Sequence, residues 1–226
     1  MTADLVADLN REQRTGVPEL VYGAGKTADQ IARALGELAM RGRGAIATRV
    51  DADKARDVCA RVASAVYRDV ASCVEVPAAA GAARPACGSI AIVCAGTSDV
   101  PVAEEVAVVA EFLGAPVVRI ADVGVAGMHR LIARIEDIRA CDVVVAVAGM
   151  EAALPSVLGG MVDAPMIAVP TSVGYGVSVG GLVALGALLA ACAPGITIVN
   201  IDNGVGAAVA AVRIARLAAL AKRAAP

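Results

Sequence analysis

The stretch "DVVVAVAGME", Asp142–Glu151, sets an unbroken apolar run against a glycine and a carboxylate. A strand with one wet face alternates apolar and polar residues; a strand covered on both faces does not. The run therefore reads as a buried strand of a parallel sheet, with its polar end delivered by "GME". Four further runs have the same character: "SIAIVCA" (89–95), "PVVRIA" (116–121), "PMIAVP" (165–170) and "ITIVNI" (196–201). Helix-period segments lie between them, among them "VAEEVAVVAEFLG" (102–114) and "AGMHRLIARIEDI" (126–138). Strands alternating with helices predict an α/β fold with a doubly wound parallel sheet.

The five runs lead into "GTSD" (96–99), "DVGVAG" (122–127), "GME" (149–151), "TSVGYG" (171–176) and "DNG" (202–204). In open parallel sheets ligands bind beyond the carboxyl ends of the strands. Glycines there let backbone N–H groups approach an anion, and helix N-termini add a favourable dipole. Gly96, Thr97, Ser98, Asp99, Asp122, Ser172, Gly174, Tyr175, Gly176, Asn200, Asp202 and Asn203 are the candidate ligand contacts on this reasoning. His129 and Arg130, one turn into a helix, are candidate phosphate partners and equally plain surface charges. Glu151 suits a general base if the crevice desolvates it, and suits a first-turn helix acid otherwise.

Upstream, the Ala/Gly/Pro stretch "VPAAAGAARPACGS" (76–89) marks a boundary. Residues 1–86 predict a small α+β domain and 87–226 the larger α/β domain. The smaller part reads as a helix over 27–41, a strand over 45–50, a helix over 52–65 and a closing strand in "YRDVASCVEV" (67–76). "GAGKT" (23–27) is not a phosphate-binding P-loop, because the glycine required five residues before its Gly-Lys pair is Leu20. Arg14, Glu19, Lys26 and Arg49 read first as structural charges.

Composition excludes several classes. A formal charge of −2 and 2% aromatic residues give no basic, stacking surface for nucleic acid. Six dispersed cysteines with a single histidine do not make a zinc site, and free thiols point to a reducing cytoplasm. The mean hydropathy of +0.71 raises a membrane reading. The uncharged span between Asp163 and Asp202 is nevertheless broken by Pro165, Pro170, Gly174 and Pro194 into pieces shorter than the ~20 residues of a spanning helix. A core of small aliphatic side chains, with one Phe and no Trp, favours burial against further copies. Cys192, followed at once by Ala-Pro-Gly, is either a small core residue or a nucleophile at the lip of a site.

Several stretches together resemble the LarB family of nickel-pincer nucleotide cofactor biosynthesis: "DLNREQRTGVPELVYGAGKT", "AGTSDVPVAEE", "DVGVAGMHR", "AGMEAALPSVLGG", "AVPTSVGYG" and "CAPGITIVNIDNGVGAA". The larger domain is also similar to the aminoimidazole ribonucleotide carboxylases of purine synthesis. The resemblance implies carboxylation of nicotinic acid adenine dinucleotide at C5 of its pyridinium ring with CO2, and hydrolysis of the phosphoanhydride. The products would be AMP and pyridinium-3,5-biscarboxylic acid mononucleotide. It places the family's catalytic cysteine on Cys192 and its glutamate on Glu151, and implies a homo-octamer with active sites between subunits. No tightly bound cofactor is implied; Mg2+ is a candidate aid to hydrolysis, and no metal ligand is assigned. Purine-pathway enzymes carry a histidine where this chain has Ala153, which argues against their reaction as the alternative; a nucleotide-binding sensor without catalysis is the other. The chain departs from the LarB pattern at Ala152, where glycine is usual, and at Ala190 and Ala191, where Asn-Ser is usual.

Overall fold

The computed structural model describes residues 6–82 and 84–224, which form two compact units divided between Pro85 and Ala86. The first unit contains α1 (Arg11–Thr15), β1 (Val21–Tyr22), α2 (Ala28–Ala39), β2 (Ala45–Thr48), α3 (Ala52–Arg61), β3 (Val66–Arg68) and β4 (Cys73–Val76). Its sheet runs β1-β2-β4-β3, with the first pair parallel and the other two antiparallel. This is the mixed sheet of an α+β unit. α2 starts where Thr27 and Gln30 exchange hydrogen bonds in a capping box, two donors satisfied reciprocally. Its Ile31 and Leu35 pack with Ala47, Val50, Val58 and Val74 into a fully buried core. Arg14 forms a two-pronged pair with Asp8, whose own N–H donates to Glu19, so both of those charges are structural.

Two expectations for this unit need correction. The predicted closing strand over 67–76 is a hairpin, because Ser72 takes a left-handed φ of 51° and donates its N–H to the Asp69 carbonyl, reversing the chain. The helix expected over 52–65 stops at Arg61, where Val62 is already extended.

The second unit contains β5 (Ile90–Cys94), α4 (Val100–Phe112), β6 (Val117–Ile120), α5 (Met128–Ala133), α6 (Ile135–Arg139), β7 (Val143–Ala148), α7 (Ala153–Gly159), β8 (Met166–Pro170), α8 (Leu182–Leu189), β9 (Ile196–Ile198) and α9 (Gly204–Ala224). All five strands are parallel, in the order β6-β5-β7-β8-β9. Every residue of β5, β7 and β8 is buried, as uninterrupted apolar runs require. α4 and α9 pack together on the sheet, while Leu131, Ile138, Leu154, Leu158 and Leu188 of α5–α8 join a separate core cluster with the strands. The helical pattern expected over 126–138 is divided: a 3-10 turn at Val125–Gly127 precedes α5, and Arg134, at φ −112° and ψ 5°, separates α5 from α6. The strand expected over 196–201 spans only Ile196–Ile198, since β9 is an edge strand with one partner.

One helix, Gly204–Ala224, is long and apolar enough to cross a membrane by length and composition. Its Ala207, Ala208, Ala211, Val212 and Ala215 are buried against the rest of the unit, while Leu217 and Leu220 are exposed.

Candidate active site

The strand order changes direction at β5, whose neighbours are β6 on one side and β7 on the other. Connections therefore diverge there and leave a crevice at the carboxyl ends of the strands. A cavity of about 560 Å3 occupies that place. Its walls are Ala95–Asp99 without Thr97, Gly124–Ala126, Ala148–Leu154 without Ala152, and Val173–Tyr175.

Close approach of the loops depends on glycine. A Cβ on Gly149 would stand 2.6 Å from the Thr171 hydroxyl and would also strike the Val173 carbonyl. A Cβ on Gly174 would stand 2.5 Å from the Ser178 carbonyl. Four residues other than glycine adopt left-handed backbone in this unit: Asp122 (φ 58°), Met150 (51°), Ala152 (48°) and Asp202 (56°). All follow strand ends. Each costs about 1–3 kcal/mol, and such residues persist where the surroundings overdetermine them. Two of them flank Glu151, which is exposed at the mouth of the cavity. Met150 N–H donates to the Val173 carbonyl and Ala152 N–H to the Gly149 carbonyl, both at 2.8 Å, fixing the turn that carries the carboxylate. The desolvation expected for Glu151 is not supplied within one chain.

Asp99 lies at the floor and is 4% exposed. Its Oδ1 accepts from the Thr171 hydroxyl at 2.7 Å and its Oδ2 from the Gly96 N–H at 3.0 Å. Burial pushes this carboxyl above the usual aspartate range, and the hydrogen bonds from Thr171 and then Gly96 oppose that rise.

Other predicted contacts fall into three groups. Gly96, Ser98, Asp99, Glu151, Gly174 and Tyr175 line the cavity; Thr97, Gly176 and Ser172 lie in the same loops without lining it. Asp122 pairs with Arg130, whose guanidinium lies where a Cβ on Gly127 would be, and His129 beside it is exposed. Of the remaining polar side chains, Asn200 and Asn203 serve their own loops and Asp202 ties its loop to the one after β8. Asn200 accepts from Ile201 N–H, Asp202 from Ser172 N–H, and Asn203 from Gly206 N–H in the first turn of α9, each at 2.8 Å.

Cys192 lies elsewhere. It precedes β9, whose first residue Ile196 is paired with Met166 at the start of β8, whereas Glu151 follows Ala148, paired with Pro170 at the end of β8. Four residues of strand, about 13 Å at 3.3 Å per residue, separate the two levels. The cysteine thus lies toward the amino ends of one chain's strands and the cavity at their carboxyl ends. Cys192 is exposed, whereas Cys73, Cys94 and Cys141 are buried and Cys59 and Cys87 partly so. Burial pushes the thiols of Cys87, Cys94 and Cys141 up, which suppresses their thiolates.

Among the described residues no group of three or more His, Cys, Asp and Glu side chains is placed to hold a metal. Asp99, Asp122 and Asp202 stand in three different loops and are each engaged as above. Sequence reasoning placed the loops 122–127, 149–151 and 171–176 at the site but did not single out Gly124–Ala126 and Gly149–Met150 as walls or the fully buried Thr171. A hydroxyl directly after the apolar run of β8 was the available signal for Thr171.

Residues 3–78 match the LarB/PurE-like N-terminal domain family, and residues 89–224 match the AIR carboxylase family. An uncharacterized protein of Methanocaldococcus jannaschii is 41% identical over 220 residues, covering 94% of this chain and 84% of that protein.

Proposed function

The chain belongs to the LarB family, a LarB/PurE-like domain followed by an AIR carboxylase domain, which supports a carboxylase-type function, and on that premise we propose that it carboxylates nicotinic acid adenine dinucleotide at pyridinium C5 and hydrolyses its phosphoanhydride. CO2 and water are the co-substrates; AMP and pyridinium-3,5-biscarboxylic acid mononucleotide are the products. The observation that carries the reading is the strained turn at the cavity mouth that holds Glu151 outward, in a chain whose exposed thiol is Cys192.

The chemistry requires both groups. A pyridinium ring is electron-poor, and its C5 does not attack CO2 unaided. Addition of the Cys192 thiolate to C4 forms a C–S bond and moves the ring electrons onto nitrogen, leaving an enamine between N1, C6 and C5. C5 then forms a bond to CO2, and the nitrogen becomes an iminium. Glu151 takes the C5 proton, and the nitrogen lone pair expels the thiolate to restore the aromatic ring. The net change is substrate plus CO2 giving product plus a proton, with Cys192 regenerated. Thiolate serves because it is both nucleophilic and easily expelled.

Since the two groups lie at opposite ends of the strands, the working site joins the cavity of one copy to the Cys192 loop of another. Exposed Tyr175, Val177, Val179, Leu182 and Leu189 lie on the segment between the cavity and that loop and suit burial against a second copy. A homo-octamer in the cytoplasm agrees with this arrangement. An interface would also supply the desolvation that Glu151 lacks in the single chain. Arg130, beside the cavity wall at Val125–Ala126, is the proposed partner for a phosphate.

Mixing subunits tests this directly. Cys192→Ala and Glu151→Gln should each abolish the dicarboxylated product, and dissociating and reassociating the two variants together should restore part of the activity. Wild-type carboxylation by Cys192→Ala alone would overturn the mechanism.

A further inference from the structure

We propose that Asp99 and Thr171 act as positioning residues, a buried clasp that ties three strand-end loops together and thereby holds Glu151 in place. The inference rests on the reading of Glu151 as the base. It removes Asp99 from the substrate contacts that the sequence suggests.

The clasp begins with placement. Asp99 projects from the loop after β5, Gly149 begins the loop after β7, and Thr171 ends β8. One carboxylate joins two of these loops, accepting from Gly96 N–H at Oδ2 and from Thr171 Oγ1–H at Oδ1, and the third loop lies against that same Thr171 hydroxyl at Gly149. A carboxylate has about four lone-pair directions; the protein fills one on each oxygen before any ligand arrives, and the group is only 4% exposed. Thr171 is fully buried, and its own N–H donates to the Ala148 carbonyl at 3.0 Å, so it cannot swing away.

What the clasp holds is the strained turn. Met150 and Ala152 are left-handed on either side of Glu151, a geometry that relaxes unless neighbours enforce it. Val173 enforces one side by accepting from Met150 N–H. Gly149, one residue before Met150, is backed from the other side by the Thr171 hydroxyl, which Asp99 fixes in place. Removing that hydroxyl leaves the buried carboxylate a donor short and frees Gly149 to shift. The turn then loses its reason to stay strained, and Glu151 moves with it. A carboxylate displaced by about 1 Å is enough to slow proton removal about a hundredfold.

Thr171→Val keeps the side-chain shape and deletes the donor; Asp99→Asn deletes one acceptor; Thr171→Ser restores the hydroxyl. Amide hydrogen exchange over Gly149–Ala152 is the readout independent of substrate, and should quicken about tenfold or more in Thr171→Val and Asp99→Asn and return in Thr171→Ser. In turnover, kcat should fall ten- to about a hundredfold with KM within about twofold, and deuterium at substrate C5 should give a larger isotope effect. Unchanged exchange in both variants overturns the clasp whatever the substrate. A raised KM with unchanged kcat overturns it too, by making Asp99 a substrate contact. Wild type that yields no product while the variants still loosen the turn would support the clasp and refute the substrate reading.

Discussion

Replacing Gly149 with alanine separates space from backbone conformation. Gly149 does not have positive φ, so alanine can adopt its backbone, and the penalty comes only from what its methyl meets. That methyl would stand 2.6 Å from the Thr171 hydroxyl and 2.8 Å from the Val173 Cβ, and would also press on the Val173 carbonyl. Backbone and a buried hydroxyl cannot yield as a flexible side-chain tip would. The loops after β7 and β8 must part, at about 1–3 kcal/mol for overpacking. The parting also stretches the Met150 N–H bond to Val173, worth about 1 kcal/mol. The sum is about 2–4 kcal/mol. At a urea slope of about 2 kcal/mol/M, the unfolding midpoint falls by about 1–2 M. Circular dichroism is the suitable probe, since the chain has no Trp. Gly176→Ala is the matched control: φ is 59° with nothing within 4 Å, so strain alone applies, about 1 kcal/mol. If Gly149→Ala loses no more than Gly176→Ala, the loops are not in the close contact described here.

Asp142 accepts from Ser89 N–H at 2.9 Å and Ser89 hydroxyl at 3.3 Å, joining the starts of β5 and β7, and pairs with Lys222 at 2.6 Å. Lys222 first, then Ser89, hold its carboxyl below the usual aspartate value of 3.8 against the opposing effect of burial. A depressed carboxylate stabilises the fold above pH 3.8 and loses that contribution as pH falls through its lowered folded value. Asp142→Asn should therefore cost about 1.5–3 kcal/mol at pH 7, with the difference from wild type shrinking below about pH 4 in urea titrations; a difference independent of pH would contradict the ionic role. Arg130→Ala should raise KM for the dinucleotide about tenfold or more while leaving turnover at saturation nearly unchanged, because a phosphate contact remote from C5 binds ground and transition states alike. Steady-state kinetics decide it, and an unchanged KM would place the phosphates elsewhere.

The parallel sheet was legible because β5, β7 and β8 are apolar without interruption, a pattern that burial on both faces demands. Edges read less well. β9 pairs on one side only, so the apolar residues after Ile198 gave no sign of where pairing ends. The β3–β4 hairpin was hidden because its reversal turns on the left-handed Ser72, a residue with no turn signature of glycine or proline. In the site, loops whose polar residues face inward could not be told from loops that satisfy themselves. Asp99 lines the cavity, while Asn200 and Asn203 hold their own turns. Glu151 was visible as a carboxylate ending a buried strand, but the strain around it was not, since Met150 and Ala152 are ordinary residues in left-handed conformations. The separation of Cys192 from Glu151 needed the register of β8 against both β7 and β9, which no single stretch encodes.

The covalent step is the centre of the account, and intact-protein mass spectrometry of Glu151→Gln tests it most directly. Incubated with nicotinic acid adenine dinucleotide and CO2, this variant forms the C–S bond but cannot remove the C5 proton. The account predicts an added mass on the peptide containing Cys192, absent when Cys192→Ala is combined with it. An unmodified Cys192 in Glu151→Gln, together with full product formation by Cys192→Ala, would contradict it.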